Sequence, residues 1–213
     1  MPTLRPEFRT DIERMLVYHS WAREKYLDLF GRLPWRVLTQ KRGSTFESIR
    51  NVHLHVLAVY TGWLVSYFGE RRLKPWLMDV SERTFLRQCD EYASVSGLRE
   101  FNRNVDTSAQ NVARRLSVRD FERKKTVGRR NGVTYRFTPR EVFWHMIEED
   151  FLHHGEILCM LWQADIQPPY TGVWWFEYDH NPSRHRDLPY ADPKVPRPPP
   201  GGYVSQSSKR AKK

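Results

Sequence analysis

Apolar positions recur at three- and four-residue spacing in four long stretches, the period of helices that bury one face. In the first, Ile12, Met15, Leu16, Tyr26, Leu29 and Phe30 share a stripe. Thr10, with Glu13 three residues on, reads as a capping box, and Pro34 stops the stretch after about Arg32. The second is expected to open at Ser44, with Glu47 completing another box. It carries Ile49, Val52, Val56, Val59, Trp63 and Tyr67 to about Gly69. Pro75 interrupts the pattern, and a short helix is expected near 81–88. The third long helix begins around Ser94 to Ser96 and reaches about Leu116, with Leu98, Phe101, Val105, Ala109 and Val112 on its inner face. The fourth opens at Thr138-Pro139-Arg140-Glu141: Thr138 caps, Pro139 suits the first helical position and Glu141 closes the box. It runs to about Ala164, before Pro168-Pro169. Between the third and fourth, β-favouring residues flank Asn131-Gly132, which predicts a short hairpin.

These elements predict an all-α four-helix bundle over residues 1–170, with a short β-hairpin before the last helix and a C-terminal extension over 171–213. Trp174, Trp175, Phe176 and Tyr178 are expected to pack back on the bundle, because such a cluster is costly in water. From about Asn181 the chain is Pro-rich and basic with little to bury, and disorder is expected there. Hydrophobic residues make up 39% of the 213, which suits a globular domain. No apolar run approaches the roughly 18 residues needed to span a bilayer, and no signal-peptide stretch follows Met1. A soluble cytoplasmic protein without a membrane partner is therefore expected. Cys89 and Cys159 stand far apart, so no disulfide is expected, and Cys159 reads as a small core residue.

The net charge of +10 brings nucleic acid into consideration. Eight Lys/Arg against four Asp/Glu from Thr171 onward place +4 in the extension. On the body, apart from Lys124-Lys125 and Arg129-Arg130, the basic residues read as scattered over a solvated surface. Weak nonspecific nucleic-acid contact through the basic tail is one functional expectation.

The other comes from the fourth helix. At about 100° per residue, His145, Glu149, His153 and Glu156 form a column on the side of Val142, Met146, Ile157 and Met160. Charges turned toward a core need compensation, and a divalent cation supplies it: a Glu and a His one turn apart reach one ion. A solvated column of His–Glu contacts explains the same spacing, and the helix alone leaves both readings open. For a third donor the second helix offers His53 and His55, about 160° apart around the axis. His53 lies nearer the centre of the stripe; His55 sits beside the small residues Ala58, Gly62 and Ser66, which leave room for an ion. Periodicity leaves this choice open. Glu148 reads as solvated, and His19 as a satisfied interhelical residue.

Resemblance narrows the choice. Tyr18-His19-Ser20-Trp21-Ala22-Arg23 is similar to the Tyr-x-x-Trp-Ala-Asn opening of the DinB/YfiT-like family. Residues 48–57 followed by Gly62-Trp63-Leu64 resemble its second-helix motif, in which the ligand histidine stands eight residues before a Trp, the place of His55. Residues 149–157 resemble its His-x-x-x-His-Arg-Gly-Gln-Ile stretch, with Glu149 and His153 at the two histidine positions. A Glu at the first of these looks like the branch related to mycothiol-dependent isomerases. Arg23 replaces the usual Asn, Tyr60 stands where an acidic residue is common, and His154 and Glu156 replace Arg and Gln.

The resemblance, over about residues 10–169, implies an up-down-down-up bundle, often dimeric, with an open divalent-metal site on His55, Glu149 and His153. The ion is expected to be Zn²⁺, Ni²⁺, Fe²⁺ or Mn²⁺, and an open site of this kind activates a water or a thiol. The expected activity is a metal-dependent thiol transfer or hydrolysis on a small-molecule substrate, with Glu156 as general base or as a partner orienting a ligand. A non-catalytic metal-stabilised scaffold is the blander alternative.

Overall fold

Helix α1 (Pro6–Phe30) already contains Thr10, so Thr10 lies inside the helix instead of capping it. The computed structural model describes residues 6–74, 82–130 and 133–180. After Pro34 a short helix that the pattern does not predict, α2 (Trp35–Thr39), buries Leu38. Helix α3 (Ile49–Ser66) is capped by Ser48, whose Oγ accepts the Asn51 N–H at 3.3 Å. The expected Ser44–Glu47 box does not form. Glu47 takes a left-handed φ of 67°, and its carboxylate pairs with Lys41 at 2.6 Å. The loop so formed, residues 42–48, carries Phe46 onto His55 of α3 and the Thr45 N–H onto Glu156.

Helix α4 (Glu82–Asp90) precedes α5 (Val95–Arg115), which Ser94 caps. Strands β1 (Lys125–Arg130) and β2 (Val133–Phe137) pair antiparallel with a bulge between Thr126 and Gly128. The Asn131-Gly132 turn lies outside the described residues. Thr138 and Glu141 close both halves of the capping box of α6 (Pro139–Gln163), with Pro139 at its start. Helix α7 (Val173–His180) follows.

Side-chain pairs fix the directions. Ser20 meets Asp106 while Arg99 meets Asp28, so α1 and α5 are antiparallel. His55 faces Glu149 while Trp63 faces His145, so α3 and α6 are antiparallel as well. Tyr18 lies against Phe151 and Tyr26 against His154, which makes α6 parallel to α1. The order is up-down-down-up, and the long connection through α4 returns the chain for the parallel α3–α5 pair. Val52, Leu57, Val105, Val112, Met146 and Ile157 fill the centre with essentially no exposure. Each such side chain contributes about 1.5–3 kcal/mol by leaving water.

Phe176 of α7 is buried against Tyr18 and Trp21, and the Trp21 indole N–H donates to Asp179 at 3.1 Å. The extension is thereby held on α1. The Trp174 and Tyr178 side chains and the tail 181–213 lie outside the described residues. Both cysteines are free; Cys89 is buried, whereas Cys159 is exposed on the outer side of α6 and is not the core residue expected. Among the described residues no helix is long and apolar enough to cross a membrane.

Candidate metal centre

The antiparallel seam of α3 and α6 brings His55, Glu149 and His153 together. One ligand atom from each lies within 4.8 Å of the other two. Glu149 Oε2 is 3.3 Å from His55 Nε2 and 3.1 Å from His153 Nε2, so one carboxylate oxygen faces two imidazole nitrogens. All three side chains are half-buried, reachable from solvent yet partly screened from it. The aromatic ring of Phe46 stacks on His55 at 3.9 Å between centroids, and Phe85 of α4 stands 6.0 Å from the same imidazole. These rings wall one side. His145, more exposed, lies at the rim with its Nε2 3.7 Å from Glu149 Oε1 and Trp63 beside it.

Glu156 lies behind His153. Its carboxylate is 2.9 Å from His153 Nδ1 and accepts the Thr45 backbone N–H at 2.8 Å. A proton on Nδ1 donates to Glu156 and leaves the Nε2 lone pair turned to Glu149, where a cation between them would satisfy both. With no cation, both ring nitrogens meet carboxylates, and the imidazolium form suits that arrangement. Burial lowers the His153 pKa, but the bonds to Glu149 and Glu156 outweigh it and raise it overall. The bonds from His153 and His55 hold Glu149 well below the usual carboxylate range. Two imidazoles and a carboxylate form a donor set that fits a borderline divalent ion, and fewer than four protein ligands leave it an open position.

His53 points the other way. It is buried in the core against Phe30, where burial lowers its pKa to about 3. Glu148 is exposed.

A second cluster, which sequence reasoning missed, lies one residue over on the same helix. His19, Asp150 and His154 also bring ligand atoms within 4.8 Å of one another. Here the cation is already present. The Arg23 guanidinium is fully buried between Asp150 and Asp106, and Tyr60 Oη donates to Asp150 Oδ2 at 2.5 Å. Ser20 and Asn102 donate to Asp106 at 2.8 and 3.0 Å. His19 and His154 each stand 3.6 Å from Asp150 and are kept neutral, burial lowering each pKa to about 4. A divalent ion beside that guanidinium would be repelled, so the cluster is a polar brace between α1, α3, α5 and α6. Its signal in the sequence was the pair of i, i+4 spacings His19/Arg23 and Asp150/His154. Arg23, Tyr60 and His154, three departures from the resembled motifs, meet at this one carboxylate.

The DinB family model matches residues 7–185, most of the chain. The chain belongs to the DinB family. The matched stretch includes α7, in keeping with its packing on α1. Comparison with curated proteins returns no match. Within this DinB-family bundle the resembled ligand positions His55, Glu149 and His153 come together as one of the two such groups among the described residues, and His145 and Glu156 flank them.

Proposed function

We propose that this DinB-family protein is a divalent-metal-dependent enzyme that acts on a small molecule, by thiol-dependent transfer or by hydrolysis. The observation that carries the reading is the convergence of His55, Glu149 and His153 donors at one half-buried, solvent-reachable point, with Glu156 fixed behind His153. When bound there, a divalent ion supplies Lewis-acid polarisation and lowers the pKa of a coordinated water or thiol. The protein's own groups do the rest. Glu156 orients the His153 ring and is itself held by Thr45 N–H, which favours a positioning role over that of a free base. His145, at the rim, is placed to exchange a proton with a substrate group. Phe46, Phe85 and Trp63 give the mouth an apolar wall that limits water on one side.

Metal analysis of the purified protein tests this. One equivalent of a transition metal is expected in the wild type, and none in His55→Ala or His153→Ala. Wild-type protein without stoichiometric metal would end the reading. The free cysteines suit a reducing compartment, the cytoplasm in this reading. A homodimer is part of this proposal. Trp144, Phe151, Leu152, Leu158 and Trp162 form an outward apolar stripe on α6 that a second copy would cover.

A further inference from the structure

The basic residues of the body, expected to be scattered, are in fact concentrated along this chain. Residues 114–140 carry ten Lys/Arg against two Asp/Glu, a net +8 out of the chain's +10. An even spread would put about +1 in a segment of this length, and the sign excess is what marks a polyanion footprint. The fold gathers this segment at one end of the bundle. Arg114 and Arg115 end α5, Arg119, Arg123 and Lys124 lie in the turns that follow, and Lys125, Arg129, Arg130 and Arg136 lie on the hairpin. Arg140 stands in the first turn of α6.

The acidic residues nearby are already engaged and too few to cancel the excess. Glu70 pairs with Arg115, Glu122 with Arg140, Asp120 bonds Ser117, and Glu141 closes the α6 capping box. Counting Glu70 and Glu141 against the surface still leaves +6. Arg119, Arg123, Lys124, Lys125 and Arg136 are exposed. β1 and β2 form a sheet of their own, a two-stranded ribbon anchored at its exit by Tyr67 Oη donating to the Phe137 carbonyl at 2.8 Å. Tyr135 is exposed on this ribbon (44%) although aromatic.

We propose that the hairpin end is a docking surface for duplex nucleic acid, engaged chiefly through its phosphates. Two observations favour this partner over an anionic membrane or an acidic protein. Eight of the ten cations are Arg, whose planar fork matches phosphate oxygens in pairs. The ribbon, five to six residues per strand or about 17–20 Å long, has the dimensions that enter a major groove. A membrane surface asks instead for apolar groups that insert, and among the described residues the exposed large apolar groups of the ribbon are Tyr135 and Val127. The surface differs from the 181–213 tail and from the metal centre. Glu149 is ten residues beyond Pro139, about 15 Å along the helix from its start.

The test uses full-length protein and a labelled mixed-sequence DNA duplex two helical turns long, followed by fluorescence anisotropy across about 50–200 mM salt. Wild type is expected to bind with steep salt dependence. The exposed triple variant Arg123→Glu, Lys124→Glu, Arg136→Glu should weaken binding at least tenfold, and should flatten the log–log salt slope by about 3, since each lost phosphate contact removes about 0.9. The same three positions changed to Gln should give a smaller loss in the same direction, with an unchanged melting curve as the folding control. No binding near the low-salt end overturns the proposal. It is overturned equally if the hairpin variants bind like wild type while Lys209→Glu, Arg210→Glu, Lys212→Glu, Lys213→Glu abolishes binding. Tighter binding to phosphatidylserine vesicles than to duplex would also overturn it, in favour of a membrane surface.

Discussion

Substituting Glu156 separates a ligand from a residue that orients one. Its carboxylate takes the His153 Nδ1 proton at 2.9 Å and the Thr45 N–H at 2.8 Å. In Glu156→Gln the amide oxygen still accepts one of these bonds, but the charge is lost, and a charge-assisted bond is about twice as strong as a neutral one. Partners of this kind change metal affinity by about 10–100-fold, or about 1.4–2.7 kcal/mol. Gln keeps the imidazole aimed, so about tenfold is expected for Glu156→Gln, and nearer about 100-fold for Glu156→Ala, which also frees the ring. Competition for Zn²⁺ against a chromophoric chelator at fixed pH reads the affinity directly. His153→Ala provides the scale for loss of a true ligand. If both Glu156 variants bind Zn²⁺ like wild type, the orienting bond does not matter. If Glu156→Ala falls as far as His153→Ala, Glu156 is itself a ligand and the assigned triad is incomplete.

Removing the buried guanidinium with Arg23→Met strands Asp106 and Asp150, and a stability loss of about 3–5 kcal/mol is expected in urea unfolding. Adding Asp150→Asn should recover part of it, and a loss under about 1 kcal/mol would show that the brace holds little. The chelated protein should weaken in mild acid. His19 and His154, with pKa lowered to about 4, and His53, to about 3, are neutral when folded but take up protons near pH 6.5 when unfolded. Their contribution is complete above about pH 6.5 and drains away as pH falls toward 4. His153 runs the opposite way: its pKa is raised, so its contribution is present below about pH 6.5 and lost as pH rises through the folded value. Below about pH 6.5 His153 is protonated in both states and drops out, so up to three protons set the slope, at most about 4 kcal/mol per pH unit, and urea midpoints that stay constant from about pH 7 to 5 would contradict it. Leu152→Glu with Trp162→Glu places charge on the outward α6 stripe; sedimentation should show a dimer for wild type and a monomer for the variant. A monomeric wild type at micromolar concentration removes the self-association proposal.

Much of the architecture was legible because it is local. The spacing of apolar residues marked all four long helices, and Thr138-Pro139-Arg140-Glu141 marked the start of α6, since a capping box needs only neighbours in sequence. The same logic failed at Ser44–Glu47 and at Thr10. An N-cap works only where the chain passes from non-helical to helical: Glu47 is left-handed, and the chain is already helical before Thr10.

The column His145, Glu149, His153, Glu156 was likewise fixed by helical period alone. Which helix completes it was not. Periodicity placed His53 and His55 on opposite sides of α3 without saying which side meets α6; the family resemblance pointed to His55, but the seating itself depends on how two helices rotate and pack against each other. Only the tertiary structure seats His55 against Glu149 and sends His53 to the core. Nor could spacing reveal that Arg23, Tyr60, Asp106, Asp150 and His154 share one buried point, since they come from four helices and each looks unremarkable on its own. The charge of residues 114–140 could be counted from the sequence. The hairpin too was local, but that the charge gathers around it at one end of the bundle depends on how the long helices pack, which no local pattern encodes.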